Sequence, residues 1–234
     1  MSARTALLAI LIAAILGLAG CAARAEARPL PAQARYTDKQ LYREITAQVA
    51  AGAPYYEAAA RLQRNHRYPL KPGITVRLPT LTLAAATFGW AALRLFAFAV
   101  LAATTLAWLL ALRGKASWPE RLAAAALVAS SGAMLTGDPM ILHERWAGLF
   151  LGLALALRVG WRRAWPWALA AAGAALAIRE LALPFVLLCL AFALWERRWR
   201  EALGWGGLVE IGRAHVWNSS HITISYAVFC LKKK

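Results

Sequence analysis

Long apolar runs alternate with short arginine clusters along this chain, and that alternation leaves an ordinary soluble fold little room. Arg4 stands before the first run. Arg113 and Lys115, then Arg158, Arg162 and Arg163, then Arg197, Arg198 and Arg200 close later runs, at every second gap. Membrane proteins keep Lys and Arg in their cytoplasmic loops, so the spacing reads as a topology with its N-terminus inside. The other gaps carry Asp38, Asp138, Glu144, Arg179 and Glu180 and would face outward.

Composition agrees with that reading. The 234 residues are 61% hydrophobic and 16% charged, with mean hydropathy +0.50, more apolar than a soluble domain of this size. The net charge of +16 invites nucleic acid as a partner. Because the cations sit beside apolar segments and no DNA- or RNA-binding motif is present, nucleic acid is excluded. Cys21, Cys189 and Cys230 are far apart and form no metal pattern.

The expected fold is all-α: a polytopic transmembrane helix bundle with about six spans and a periplasmic loop containing short amphipathic helices. The first run, Ala6 to Gly20, is a transmembrane helix or a signal-like segment, taken as residues 1–23. Leu18-Ala19-Gly20-Cys21 also fits a lipoprotein cleavage box, and an uncleaved helix is preferred. The later spans are expected at Leu95 to Leu112, Leu122 to Leu135, Trp146 to Leu157 (beginning nearer Ile141), Trp165 to Ile178 and Leu181 to Trp195. They form a bundle over 93–205, rich in Ala and Gly that let helices approach closely.

Residues 24–92 form the outer loop. Thr37-Asp38-Lys39-Gln40 has the capping-box form, and Leu41, Ile45 and Val49 follow at helical spacing. Gly52 and Pro54 end that helix, and a second short helix is expected over Tyr55 to Gln63. Thr80 to Ala91 is apolar but too short to span, and would lie along the membrane surface with Trp90 at headgroup depth. From Ile211 the apolar and arginine pattern stops. Residues 211–234 resemble a translated sequencing adapter ending in poly-lysine, and the natural chain is then expected to run on from near Glu210.

A few outward residues carry chemistry. Asp38, at the start of the first amphipathic helix, suits a general base or a metal ligand near the bilayer, and equally the helix dipole. Glu144 is an acid close to hydrocarbon, where acids tend to be functional, though Arg145 could simply neutralise it. His143 beside it is a weaker candidate. Arg179, in a turn with Glu180, and Arg77, in Thr75-Val76-Arg77-Leu78-Pro79, are phosphate-binding candidates by their planar forks. An internal salt bridge and snorkelling are their respective bland readings. Tyr55 and Tyr56, with Tyr42 and Tyr36, give the loop aromatic faces that suit sugar rings or the membrane interface.

The ordering resembles the GT-C class of integral-membrane glycosyltransferases, in particular uncharacterised proteobacterial members. The matching segments are Tyr36-Thr37-Asp38-Lys39-Gln40-Leu41-Tyr42, Gly52-Ala53-Pro54-Tyr55-Tyr56 and the second-loop Glu144, while those around Thr75-Val76-Arg77-Leu78-Pro79 and His143-Glu144-Arg145-Trp146-Ala147-Gly148 look like those of uncharacterised proteobacterial membrane proteins with this layout. The resemblance implies a multi-pass protein of the bacterial inner membrane. It makes Asp38 the catalytic base, Glu144 a second acid and Arg179 a contact to the carrier phosphate. The partners would be membrane lipid and a polyprenyl-phosphate sugar donor, sometimes with a divalent cation. A non-catalytic assembly or export subunit is the competing reading, and a transporter a third.

Overall fold

A computed structural model describes residues 37–69, 76–132 and 138–214, which belong to one compact unit. The first apolar run and Cys21 lie outside the described residues, as do residues 215–234.

Every regular element among the described residues is helical. Helix α1 (Asp38–Ala50) begins at the capping box: the Thr37 side chain accepts from the Gln40 backbone N–H, and the Gln40 side chain accepts from the Thr37 N–H. It ends at Gly52, whose φ of 94° is a left-handed turn that favours glycine. Helix α2 (Tyr55–Asn65) follows at once. Both are amphipathic, burying Leu41, Tyr42 and Ile45 from α1 and Tyr55, Ala58, Ala59 and Leu62 from α2. From Thr37, these two helices of the expected outer loop pack against each other, and α1 packs against the helix that follows.

Helix α3 (Thr80–Ala111) joins two segments that the sequence suggested were separate. It kinks at Gly89, where φ 78° and ψ 157° leave the helical region. The 22 residues after the kink extend about 33 Å. Helices α4 (Trp118–Ser130), α5 (His143–Gly160), α6 (Trp165–Ile178) and α7 (Leu183–Trp195) follow, with a last helix, α8, over 199–214.

The six-span expectation is not met. Among the described residues only Thr80–Ala111 is long and apolar enough to cross a membrane. A span needs roughly 20 apolar residues, whereas α4, α6 and α7 have 13, 14 and 13. Helix α5 has 18 residues but includes Glu144, Arg145 and Arg158. Apolar composition alone did not separate a spanning helix from a short packed one: Ala168, Ala171, Ala172 and Ala175 of α6 are buried in the bundle. What stands, among the described residues, is an all-helical unit with one candidate membrane helix, from which Leu95, Phe96 and Leu106 project exposed.

Helix α5 crosses α3 along a stripe of small residues one turn apart: Gly148, Gly152, Ala156 and Gly160. At Gly160 the approach is closest, since a Cβ there would lie 2.8 Å from the Cβ and 3.2 Å from the Cα of Ala111. At Gly152 a Cβ would sit 3.5 Å from Thr104 Cγ2, and at Gly148 it would meet nothing within 4 Å. The two helices diverge toward the start of α5.

The narrow end gathers the arginine clusters. Lys115 Nζ donates to the Val159 carbonyl at 2.6 Å, Arg158 Nε lies 2.8 Å from Glu201 Oε1, and Arg162 reaches Glu196 at 4.0 Å. Glu201, 3% exposed, also pairs with Arg198 and accepts from Trp205 Nε1 at 3.2 Å. This buried carboxylate ties α8 to α5. Helix α8 continues past Ile211, with Gly212 seated against Leu176 and Leu183.

Candidate functional site

The wide end brings together side chains from five parts of the chain. Helix α1 contributes Tyr42 and α2 contributes Tyr55, each on its helix's buried face. The segment leading into α3 contributes Arg77. The first turn of α5 contributes His143 and Glu144, where an acid is favoured by the helix dipole. Helix α6 ends at Arg179, whose extended backbone (φ −148°, ψ 117°) turns the chain into the short 3-10 segment Glu180–Ala182, and Pro184 starts α7.

Glu144 is the meeting point. Its Oε1 lies 2.9 Å from Arg77 Nη2 and 3.3 Å from Arg179 Nη2. Arg179 Nη1 is also 3.2 Å from Glu180 Oε1. The members differ in exposure: the side chains of Arg179 and Glu180 are 9% and 8% exposed and that of Arg77 is 18%, against 44% for Glu144. The cations are fixed in the protein and the acid between them is the wettest member.

Each arginine has its own support. The Tyr55 hydroxyl donates to the Arg77 carbonyl at 2.7 Å. The Tyr42 hydroxyl hydrogen-bonds the Arg77 side chain, and its ring packs on His143 with centroids 5.1 Å apart. Nearby, Trp146 Nε1 donates to the Met140 carbonyl at 2.9 Å, and the Thr80 hydroxyl donates to the Ala177 carbonyl at 2.5 Å, tying α3 to the end of α6. The Nε–H groups of Arg77 and Arg179 are buried and make no hydrogen bond.

Burial sets the titration of the neighbours. It pushes the Tyr42 hydroxyl up, opposed by Arg77 and reinforced by Asp38 and Glu144. It pushes Tyr55 up as well. His143 is lowered from 6.5 to about 4, burial outweighing the attraction of Glu144, with Arg77 and Arg179 acting in the same direction as burial. At neutral pH it is an uncharged ring, and neither nitrogen makes a well-formed hydrogen bond.

Beside Glu144 an open cleft of about 310 Å³ runs down the divergence of α3 and α5. Thr104 and Trp108, Val128 and Ser131, and Gly148 and Gly152 line it, with Glu144 and Arg145 also on its wall. Most of its wall area is apolar, and Thr104, Ser131, Glu144 and Arg145 supply its polar groups.

Of the residues singled out from sequence, Arg77, Glu144 and Arg179 make direct contact. Tyr55 holds the backbone of Arg77. Tyr56 is half-buried, edge-on to Tyr55 at 5.1 Å. Asp38 stands exposed at the first residue of α1, one turn before Tyr42, on which its charge acts. The sequence did not reveal that residues 77, 144 and 179 meet, nor that Tyr42 packs on His143 beside them. The cleft had a faint signal in the glycines four residues apart in α5.

A divalent cation fits this site poorly. Glu144 and Glu180 are both held by arginines, and among the described residues no group of three or more His, Cys, Asp or Glu is placed to hold a metal. No protein-family model, no curated protein and no solved structure matches the chain.

Proposed function

We propose that this chain is a membrane glycosyltransferase of GT-C type that takes a sugar from a polyprenyl-phosphate donor. One observation carries the reading: Arg77 and the buried Arg179 converge on Glu144, which also lines a mostly apolar cleft beside a helix long enough to cross a membrane. An amphiphile with an anionic head and an apolar tail matches that arrangement. Arg113 and Lys115 follow the far end of α3, which by their charge would lie inside and leave the arginine pair on the periplasmic face.

In this scheme an acceptor hydroxyl attacks the anomeric carbon and the bond from that carbon to the phosphate oxygen breaks. Asp38 takes the hydroxyl proton, and Arg77 and Arg179 neutralise the charge gathering on the departing lipid phosphate. Its solvent access and its closeness to Tyr42 support Asp38 as the base.

Transfer of radiolabelled sugar from a polyprenyl-phosphate donor, in micelles or vesicles containing the full chain, tests this. Asp38→Asn should lower the rate by roughly 10²-fold or more. An Asp38→Asn protein as active as the parent would end the catalytic assignment. It would leave the second reading, a non-catalytic subunit that binds a phosphate-bearing partner, which the engagement of both Glu144 and Glu180 by arginines favours.

A further inference from the structure

We propose that Glu144 is an internal stand-in for the ligand's phosphate: its carboxylate occupies the anion site formed by Arg77 and Arg179, and phosphate binding displaces it. The inference rests on reading those arginines as phosphate ligands. It changes the part played by Glu144, from a fixed second acid to an exchangeable one.

The asymmetry of the cluster is the main argument. Arg179 is nine-tenths buried and braced by Glu180, and Arg77 is braced by Tyr55 through its carbonyl and by Tyr42 through its side chain. Each arginine thus has support that does not depend on Glu144. Glu144 is attached at the first turn of α5, its side chain is 44% exposed, and it borders open cleft space. It is the member free to leave.

Donor and charge counts point the same way. One Glu144 oxygen takes both guanidinium contacts, while the Nε–H of each arginine stays buried and unsatisfied. A tetrahedral phosphate offers more acceptor oxygens than a carboxylate and can take planar forks from two sides. Glu144 supplies one negative charge against two cations, and Glu180 is already turned to Arg179. A phosphate monoester, such as the lipid phosphate released on transfer, carries up to two and so neutralises the pair more fully, whereas the diester donor matches Glu144 with one. Once phosphate is seated, like-charge repulsion drives the freed carboxylate toward the cleft and solvent.

The source of the phosphate is separable. Inorganic phosphate offers the anion alone, and dodecyl phosphate adds a tail for the cleft. Both would be titrated into the full chain in neutral-detergent micelles, with binding followed by phosphorus NMR, for the parent, Glu144→Gln and Arg179→Gln. Thermal midpoints in the same micelles check folding. Removing the competing carboxylate should tighten binding about tenfold, and Arg179→Gln should loosen it by at least as much. Tighter binding of dodecyl phosphate than of inorganic phosphate assigns the site to lipid phosphate, and equal binding assigns it to a free phosphate. Either accords with displacement if Glu144→Gln tightens.

If Glu144→Gln binds no better than the parent while Arg179→Gln binds worse, the phosphate site stands and the displacement is overturned. If Arg179→Gln changes nothing, both fall. Carbodiimide labelling of Glu144 in the parent protein, read by mass spectrometry, gives an answer needing no variant. Labelling should rise on adding dodecyl phosphate, and constant labelling at saturation would overturn the exchange.

Discussion

Replacing three glycines of α5 by alanine, one at a time, should give opposite signs along a single helix. A helix-interior Gly→Ala gains about 1 kcal/mol from backbone entropy alone. At Gly148 nothing lies within 4 Å of the new methyl, so that gain stands. At Gly152 the methyl meets Thr104 Cγ2 at 3.5 Å, an ordinary contact that adds a little burial. At Gly160 it meets Ala111 Cβ at 2.8 Å and Ala111 Cα at 3.2 Å. Neither atom can rotate away, so α3 and α5 must part. Overpacking of this kind costs about 1–3 kcal/mol, and the propensity gain is smaller at this last helical residue. The balance is about 1–2 kcal/mol of destabilisation. For a chain of this size 1 kcal/mol moves the thermal midpoint by about 2–4 °C. Scanning fluorimetry or calorimetry in micelles should show Gly148→Ala and Gly152→Ala rising by a few degrees and Gly160→Ala falling by roughly 2–8 °C. A rise at Gly160 equal to that at Gly148 would refute the close crossing of α3 and α5.

Two further outcomes follow from buried charge. His143 has its pKa lowered from 6.5 to about 4, so the unfolded chain binds the extra proton first. Stability is full above about pH 6.5 and declines toward pH 4, with a slope of at most about 1.4 kcal/mol per pH unit. His143→Phe, which keeps a ring against Tyr42, should flatten the midpoint over that window, and parallel profiles would contradict the assignment. Glu201→Gln strips the carboxylate from between Arg158 and Arg198 and should cost about 3–5 kcal/mol. Glu210→Gln breaks a pair whose acid is 64% exposed and should cost less than about 1 kcal/mol. Similar unfolding shifts for the two would deny Glu201 its clamping role.

What could be read from the sequence was local. Thr37 and Gln40 announce the start of α1 because a cap is decided within four residues, and Gly52 announces its end. The helical class followed from the same kind of signal. Span number did not, because hydropathy reports whether a segment avoids water and not whether it is long enough to cross a bilayer. Ala-rich α6 avoids water by packing inside the bundle. The kink at Gly89 was hidden for a related reason, since one glycine among many marks a break only when its neighbours' packing demands it. At the site, Arg77, Glu144 and Arg179 were each visible as charges out of place beside apolar sequence. Their meeting was not, since it depends on how α3, α5 and α6 pack, and no pattern within 77–179 encodes that. His143 looked ordinary because burial, which sets its protonation, is a property of the fold.

The crossing of α3 and α5 also has a mechanical consequence. Contact at Gly160 and open space at Gly148 make the pair a wedge, pivoted at the arginine end with its aperture at the carboxylate. From Gly160 to Glu144 is sixteen residues, a lever arm of about 24 Å. A tilt of about 3° at the pivot therefore swings Glu144 by about 1 Å over that arm, enough to lengthen both of its arginine contacts. The tightest contact of the two helices and the opening beside the carboxylate thus sit at opposite ends of one lever.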